Sequence, residues 1–181
     1  MVEYNYTEIR ERYTYPGDDE IIDRISKCSG NSERENRDII NSIVLWKVNR
    51  QVNIGNLFVK IHKLDVKTLK DFNNKEQEIK DIVGELLEVN GVRIAMASTI
   101  LKMFYPDIFP IIDQRAYREL YDKEMPTWTS KQKWQEEYVT YVRDCHKYFN
   151  DYCEGQIKFT DLDKVLYQID KEKDNENLKG Y

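Results

Sequence analysis

The chain has few of the residues that mark a cross-linked or metal-bound protein. Among 181 residues there are three cysteines, Cys28, Cys145 and Cys153, and two histidines, His62 and His146. The cysteines form no C-x-x-C pair, and an odd number cannot all pair in disulfides. The histidines are far apart, and the chain shows neither an H-E-x-x-H motif nor a Cys/His ligand spacing. The sequence therefore predicts a reducing compartment, no disulfide scaffold and no metal site.

Long apolar runs and a surplus of positive charge are also missing. No stretch approaches the roughly 18 consecutive apolar residues of a membrane helix, and the start M-V-E-Y-N-Y-T-E lacks the basic and apolar regions of a signal peptide. We therefore expect a cytoplasmic protein with no membrane partner. The formal net charge is -5, so any nucleic-acid surface would have to be a local basic patch.

Several nucleotide and nucleophile motifs are absent too. The chain contains no G-x-S-x-G, no phosphate-binding P-loop and no G-x-G-x-x-G fingerprint. These absences disfavour serine hydrolases, P-loop NTPases and Rossmann enzymes.

The residues that are present predict an all-α fold. Hydrophobic residues make up 40% of the chain and aromatics 12%, enough to fill a core. Apolar residues recur at helical spacing, and extended alternation is missing. The predicted helices span 33–50, 66–72, 75–89, 92–105, 113–121 and 130–152, and a last helix opens at Thr160 and Asp163. Ser32, with Glu35, and Asp65 are the predicted caps of the first two helices.

One stretch, from Leu87 to Leu120, joins several features that suit binding and catalysis. It contains a helix, a glycine-marked hairpin, a second helix, a loop bounded by Pro106 and Pro110, and the carboxylate of Asp113. A tight hairpin exposes backbone N–H groups at a helix N-terminus, which can bind a phosphate without net positive charge.

This stretch resembles the helix-hairpin-helix superfamily of base-excision DNA glycosylases. The pattern of that family is an L-P-G-V-G-x-x-T-A hairpin followed by a loop that ends in an aspartate. Here Asn90-Gly91-Val92 with Ala97 matches the hairpin, and Phe109-Pro110-Ile111-Ile112-Asp113 is similar to the loop of the adenine-mismatch branch. The spacing from Gly91 to Asp113 is also that of the family. Trp46-Lys47 and the later F-T-D-L-D-K-V-L-Y look like features of small uncharacterised bacterial members.

The resemblance implies a bundle of helices with two small lobes, a helix-hairpin-helix element and a cleft between the lobes. We expect one domain over 1–172, with one lobe from 1–73 plus the C-terminal helices and the other from 74–125, followed by a frayed tail at 173–181. The implied partner is double-stranded DNA with a flipped base; no protein partner is inferred.

The resemblance also implies roles for individual residues. Asp113 would stabilise positive charge on the sugar as the base leaves. The predicted DNA contacts are Gly91, Val92, Arg93, Arg115 and Arg118, and the predicted base-pocket residues are Trp46, Lys47 and Tyr117. Ala95 stands where lyase members have a lysine, so the implied enzyme is a monofunctional DNA N-glycosylase. The iron-sulfur cysteines are absent; the hairpin could hold a monovalent cation, although Asn90 and Arg93 depart from the family pattern there.

Other interpretations of the same residues stay open. Asp113 can be an ordinary N-cap, Arg115 and Arg118 a solvated helix face, and Trp46 and Tyr117 core aromatics. The main alternative function is a non-catalytic helix-hairpin-helix module that binds DNA or a protein. A helical interaction protein unrelated to nucleic acid is a third hypothesis.

Overall fold

The computed structural model describes residues 23–25, 27, 32–47, 52, 54–153 and 156–173. The secondary structure in these ranges is helical, and they contain no strand. The prediction of an all-α fold is therefore confirmed. The helices are α1 (Glu33–Lys47), α2 (Leu57–His62), α3 (Leu69–Asn74), α4 (Glu76–Glu88), α5 (Ile94–Phe104), α6 (Gln114–Tyr121), α7 (Lys131–Tyr148) and α8 (Leu162–Lys173). A π-helical turn, Phe149–Cys153, follows α7, and a 3-10 turn, Phe159–Asp161, precedes α8.

The chain divides into two units, Met1–Gln51 and Val52–Tyr181. In the first unit, α1 begins with the predicted capping box: the Ser32 hydroxyl accepts a hydrogen bond from the Glu35 N–H at 3.3 Å, and the Glu35 carboxylate accepts one from the Ser32 N–H at 2.7 Å. The helix was predicted to extend to residue 50, but residues 48–50 lie outside the described residues. Cys28 also lies outside them. The predicted division into lobes near residue 73 stays a prediction.

The second unit has a continuous apolar core formed by side chains from α2 to α8. Helix α4 packs against α5 and α7, and α6 packs against α8. The largest side chains that are almost fully buried are Phe72, Phe109, Tyr117, Tyr138 and Tyr141. Burial of this apolar surface provides the main favourable contribution to folding of the unit.

Two local predictions differ from the structure. Asp65 does not cap a helix; it has a φ of 45° and lies in the connection between α2 and α3. Thr68 is the cap instead, because its hydroxyl accepts from the Asp71 N–H at 3.2 Å while Asp71 accepts from the Thr68 N–H at 2.9 Å. Helix α2 was not predicted, since its six residues, L-F-V-K-I-H, include branched and aromatic residues and lack a side-chain cap.

Candidate active site around Asp113

The hairpin between α4 and α5 has the geometry that its glycine suggests. Gly91 has a φ of +82°, a conformation that glycine adopts without the strain of a Cβ atom. The Val92 N–H closes the turn on the Val89 carbonyl at 3.0 Å, and the Val92 side chain is buried. Gly91 and Arg93 are exposed. The structure thus places the three predicted DNA contacts of the hairpin in one turn, with two of them at the surface.

Helix α5 begins directly after the hairpin. Arg93 is its N-cap residue, with extended backbone, and its side chain provides no capping acceptor. Within the part of the chain that the structure describes, Arg93 makes no ion pair. A helix N-terminus with a free guanidinium beside it favours an anion.

The loop at residues 105–112, which we call the Asp113 loop, turns back along α5. The Ile112 N–H donates to the buried Ser98 hydroxyl at 3.2 Å. Ser98 is five positions after Arg93, which corresponds to about 8 Å along a helix axis. The end of the Asp113 loop therefore lies beside the N-terminal half of α5, and this is the half that directly follows the hairpin.

Helix α7 holds the other side of the Asp113 loop. The Tyr138 hydroxyl donates to the Pro110 carbonyl and the Tyr141 hydroxyl to the Ile111 carbonyl, both at 3.1 Å. Burial raises the pKa of both hydroxyls well above the usual value, so they remain protonated donors. Periodicity predicted these tyrosines on the core face of the helix, but it gave no signal for their polar partners.

A buried ion pair contacts the loop from α5 and α8. The carboxylate of Asp163 accepts from the Ile111 N–H at 2.9 Å and pairs with the Lys102 ammonium group. The side chains of Lys102 and Asp163 are 8% and 3% exposed. The ammonium group also donates to the Thr160 carbonyl at 2.9 Å. This pair was not predicted to have a role, and its only signal in the sequence is the F-T-D-L-D-K-V-L-Y segment, which contains Asp163.

Asp113 itself is the N-cap of α6. Its carboxylate accepts from the Ala116 N–H at 2.8 Å, so the N-cap interpretation is confirmed. The side chain is half-buried, and burial raises the pKa of Asp113 above its ordinary value. The backbone N–H groups of Ala116 and Arg115 oppose this rise, and the negative charge of Asp163 adds to it. The N-cap role leaves room for catalysis, because a carboxylate has two oxygens and several acceptor sites.

The two arginines of α6 are engaged in the packing against α8. Both oxygens of the Asp170 carboxylate accept from Arg118, at 2.7 and 2.8 Å, and Arg115 adds a contact at 3.1 Å. Asp170 is 4% exposed, and the Arg118 guanidinium lowers its pKa. The arginines are partly buried in an ion pair, so they do not form the solvated face considered above. A phosphate would have to displace Asp170 to reach either one.

Of the predicted base-pocket residues, the structure describes the side chain of Tyr117. Tyr117 is 1% exposed, and its ring lies 4.6 Å from that of Tyr121 and 6.2 Å from that of Tyr141. Its hydroxyl donates to Glu137. Tyr117 is therefore a core aromatic, and its assignment to a base pocket is corrected because its side chain is almost fully buried. Trp46 and Lys47 are the last residues of α1, and their side chains lie outside the described residues.

Two surface depressions in the second unit are lined by residues other than Asp113. One, of about 380 Å³, is lined by Trp128, Gln132, Lys133, Glu136, Glu137 and Thr140. The other, of about 480 Å³, is lined by Leu120, Tyr121, Asp144, Lys147, Tyr148, Asp151 and Tyr152. Asp113 lines neither depression, so the predicted cleft beside it stays a prediction.

Metal ligands and membrane helices are not found in the described ranges. No three of their histidine, cysteine, aspartate and glutamate side chains are grouped so that they could hold a metal ion. Of the helices described, none has the length and apolar content needed to cross a bilayer.

Similarity to known proteins does not assign a family. No family model, no curated protein and no solved structure matches this chain.

Proposed function

We propose that the protein is a monofunctional DNA N-glycosylase that removes a damaged or modified base flipped out of the duplex. The observation that carries this proposal is the return of the Asp113 loop along α5, made by the hydrogen bond between Ile112 and Ser98. It brings a half-buried carboxylate to the half of α5 that begins at the Gly91 hairpin. A glycosylase needs a backbone anchor and a carboxylate at a fixed separation, because the flipped sugar remains attached to the anchored strand.

In this proposal the hairpin binds the DNA backbone. The N–H groups at the start of α5 donate hydrogen bonds to a phosphate, and exposed Arg93 supplies the positive charge beside it. This arrangement explains how a chain with a net charge of -5 can bind a polyanion, since the contact is local and made largely by backbone dipoles.

Asp113 then acts on the sugar. Its carboxylate stabilises the positive charge that develops as the bond to the base breaks, and it aids attack by water. The Asp113 loop suits this role because hydrogen bonds from α5, α7 and α8 fix its backbone, which leaves little reorganisation for the reaction step. Exposed Ala95 occupies the position of a lyase lysine, so no Schiff base forms there and the product is an abasic site.

The test is release of base from duplex oligonucleotides that each carry one altered base, such as uracil, hypoxanthine, 8-oxoguanine or 5-hydroxymethylcytosine. Heat or alkali then cleaves the abasic product. The wild-type chain is expected to release at least one base, and Asp113→Asn is expected to lose that release. Asp107→Asn is the matched control, because Asp107 is an exposed carboxylate in the same loop. Equal release by wild type and Asp113→Asn contradicts the proposed role of Asp113.

A second candidate function is a non-catalytic module that binds DNA through the hairpin. The observation in its favour is that Asp113 already has a structural role as an N-cap and lines neither depression described above. DNA binding that depends on Arg93, without base release from any substrate, is the result that would support this function.

A further inference from the structure

The Lys102–Asp163 pair places two charged groups at positions where uncharged side chains could also fill the space. Both side chains are nearly inaccessible to water, and removing two charges from water costs several kcal/mol per ion before their attraction is counted. Apolar residues of the same size usually replace such a pair with little loss of stability. A requirement for stability alone therefore does not account for its presence.

The hydrogen bonds of Asp163 connect it to the Asp113 loop. One carboxylate accepts from the Ile111 N–H and from the Lys164 N–H, each at 2.9 Å, and also from the Lys102 ammonium group. Ile111 is two residues before Asp113. Asp163 thus joins α5 and α8 to the backbone segment that carries the proposed catalytic carboxylate.

The charged and titratable groups that act on Asp113 come from several elements. Asp163, from α8, adds negative charge that favours a protonated Asp113, whereas the guanidinium of Arg115 on α6 favours an ionised one. Tyr141 on α7 is neutral, because burial raises its pKa well above the usual value. Lys102 on α5 is paired with Asp163. Of these groups, Asp163 is the one that both accepts a hydrogen bond from the loop and, through its charge, raises the pKa of Asp113.

We propose that Asp163, paired with Lys102, is a positioning residue for Asp113: it fixes the backbone at Ile111 and places a second carboxylate near the reacting one. Its catalytic consequence rests on the glycosylase function proposed above. Asp163 does not touch the substrate in this proposal and acts only through Asp113.

Two double variants separate the hydrogen bond from the charge. Lys102→Met with Asp163→Asn removes both charges but keeps an oxygen that can accept from Ile111. Lys102→Met with Asp163→Leu removes the acceptor as well. Changing the two residues together avoids a buried unpaired ammonium group, which would threaten folding. Ser98→Ala is the control, because it removes an uncharged contact to the same loop.

The measurements are single-turnover base release as a function of pH, DNA affinity and urea unfolding, made on the full chain with a substrate that the wild type cleaves. The Asp163→Leu double variant is expected to be at least about 10-fold slower than wild type with unchanged DNA affinity, and the Asn double variant to recover most of the rate. The Asn double variant should also keep activity to lower pH: of the two charges that it removes, that of Asp163 is among the causes that raise the pKa of Asp113, whereas the charge that opposes this rise is that of Arg115, which remains. Ser98→Ala should not shift the pH at which the rate falls in acid, which we call the acid limb of the pH–rate profile.

Three outcomes would overturn the inference. Wild-type rates in both double variants would show that Asp163 positions nothing. An acid limb that moves as far in Ser98→Ala as in the Asn double variant would show that loosening the loop is sufficient. Absence of base release by the wild type would remove the proposed function and this inference together, whereas the first two outcomes leave the glycosylase function standing.

Discussion

The hydroxyl oxygen of Ser98 accepts a hydrogen bond from the backbone N–H of Ile112, and both residues are fully buried. Ser98 also donates to the Ala95 carbonyl of its own helix at 2.8 Å. One serine therefore satisfies two backbone groups and sets the direction in which the chain enters α6. Because Asp113 is the next residue, the position of its carboxylate depends on this contact.

Substitutions of Asp113 should separate its capping role from its charge. A raised pKa means that the folded state disfavours the ionised form, so at pH 7 ionised Asp113 lowers the free energy of unfolding. Asp113→Asn removes that cost and keeps a good cap, so we expect its free energy of unfolding at pH 7 to equal or exceed that of wild type. This difference between the two proteins should vanish below about pH 4, where Asp113 is protonated in both the folded and the unfolded state. Asp113→Ala also loses the cap and should cost about 1 kcal/mol relative to Asn. Urea unfolding at several pH values measures both, and a less stable Asn variant at pH 7 would contradict the prediction.

Gly91→Ala should destabilise the second unit through backbone strain. An added Cβ would meet only the Val52 side chain, at an ordinary 3.9 Å, so the cost comes from the positive φ and not from a collision. The expected loss is about 1 to 2 kcal/mol. Gly91→Asn is the control and should cost less, because asparagine adopts the left-handed region more readily. Equal unfolding midpoints for wild type and Gly91→Ala would contradict the predicted strain at position 91.

Arg93→Gln should reduce the salt dependence of DNA binding. If its guanidinium contacts one phosphate, the slope of log affinity against log salt falls by about one unit. Lys164→Gln is the control, since Lys164 on α8 is also exposed but pairs with Asp161 in the preceding 3-10 turn. Titrations of a fluorescent duplex at four salt concentrations give the slopes. An unchanged slope for Arg93→Gln would remove this residue from the interface.

Asp170→Asn should weaken the contact between α6 and α8. It leaves two partly buried guanidinium groups without their carboxylate, at a cost of about 3 kcal/mol at pH 7. Because the pKa of Asp170 is lowered in the fold, its contribution is present above about pH 4 and lost as the pH falls through the lower folded value. The difference in unfolding free energy from wild type should therefore narrow in acid. Glu124→Gln is the control: its side chain is 75% exposed, and its pair with Arg118 is worth less than about 1 kcal/mol.

Local signals predicted much of the helical structure. Ser32, Ser130 and Asp113 begin helices as expected, because a cap depends on a side chain and a backbone N–H only two or three residues away. Asp65 was mistaken for a cap because aspartate also occurs in turns at positive φ, which a short sequence window does not distinguish.

The support of the Asp113 loop was not predictable in the same way. Its partners Ser98, Tyr138 and Asp163 are 14 to 52 positions distant from the loop residues that they contact. Such contacts arise only when helices pack, and a hydroxyl or carboxylate on a helix gives no local sign of its partner. Tyr117 shows the same limit, since helical spacing fits a core aromatic and a stacking residue equally well until its burial is known.

The hydrogen bond between Ile111 and Asp163 also bears on the order of events during synthesis. Ile111 is made 52 residues before Asp163, so the loop leaves the ribosome well before its acceptor. Until α8 has been made and has docked, the Ile111 N–H and the Lys102 ammonium group have no carboxylate to contact. A nascent chain that ends before α8 therefore carries Asp113 on an incompletely supported loop, and the loop gains its full set of hydrogen bonds only after the last described helix has been translated.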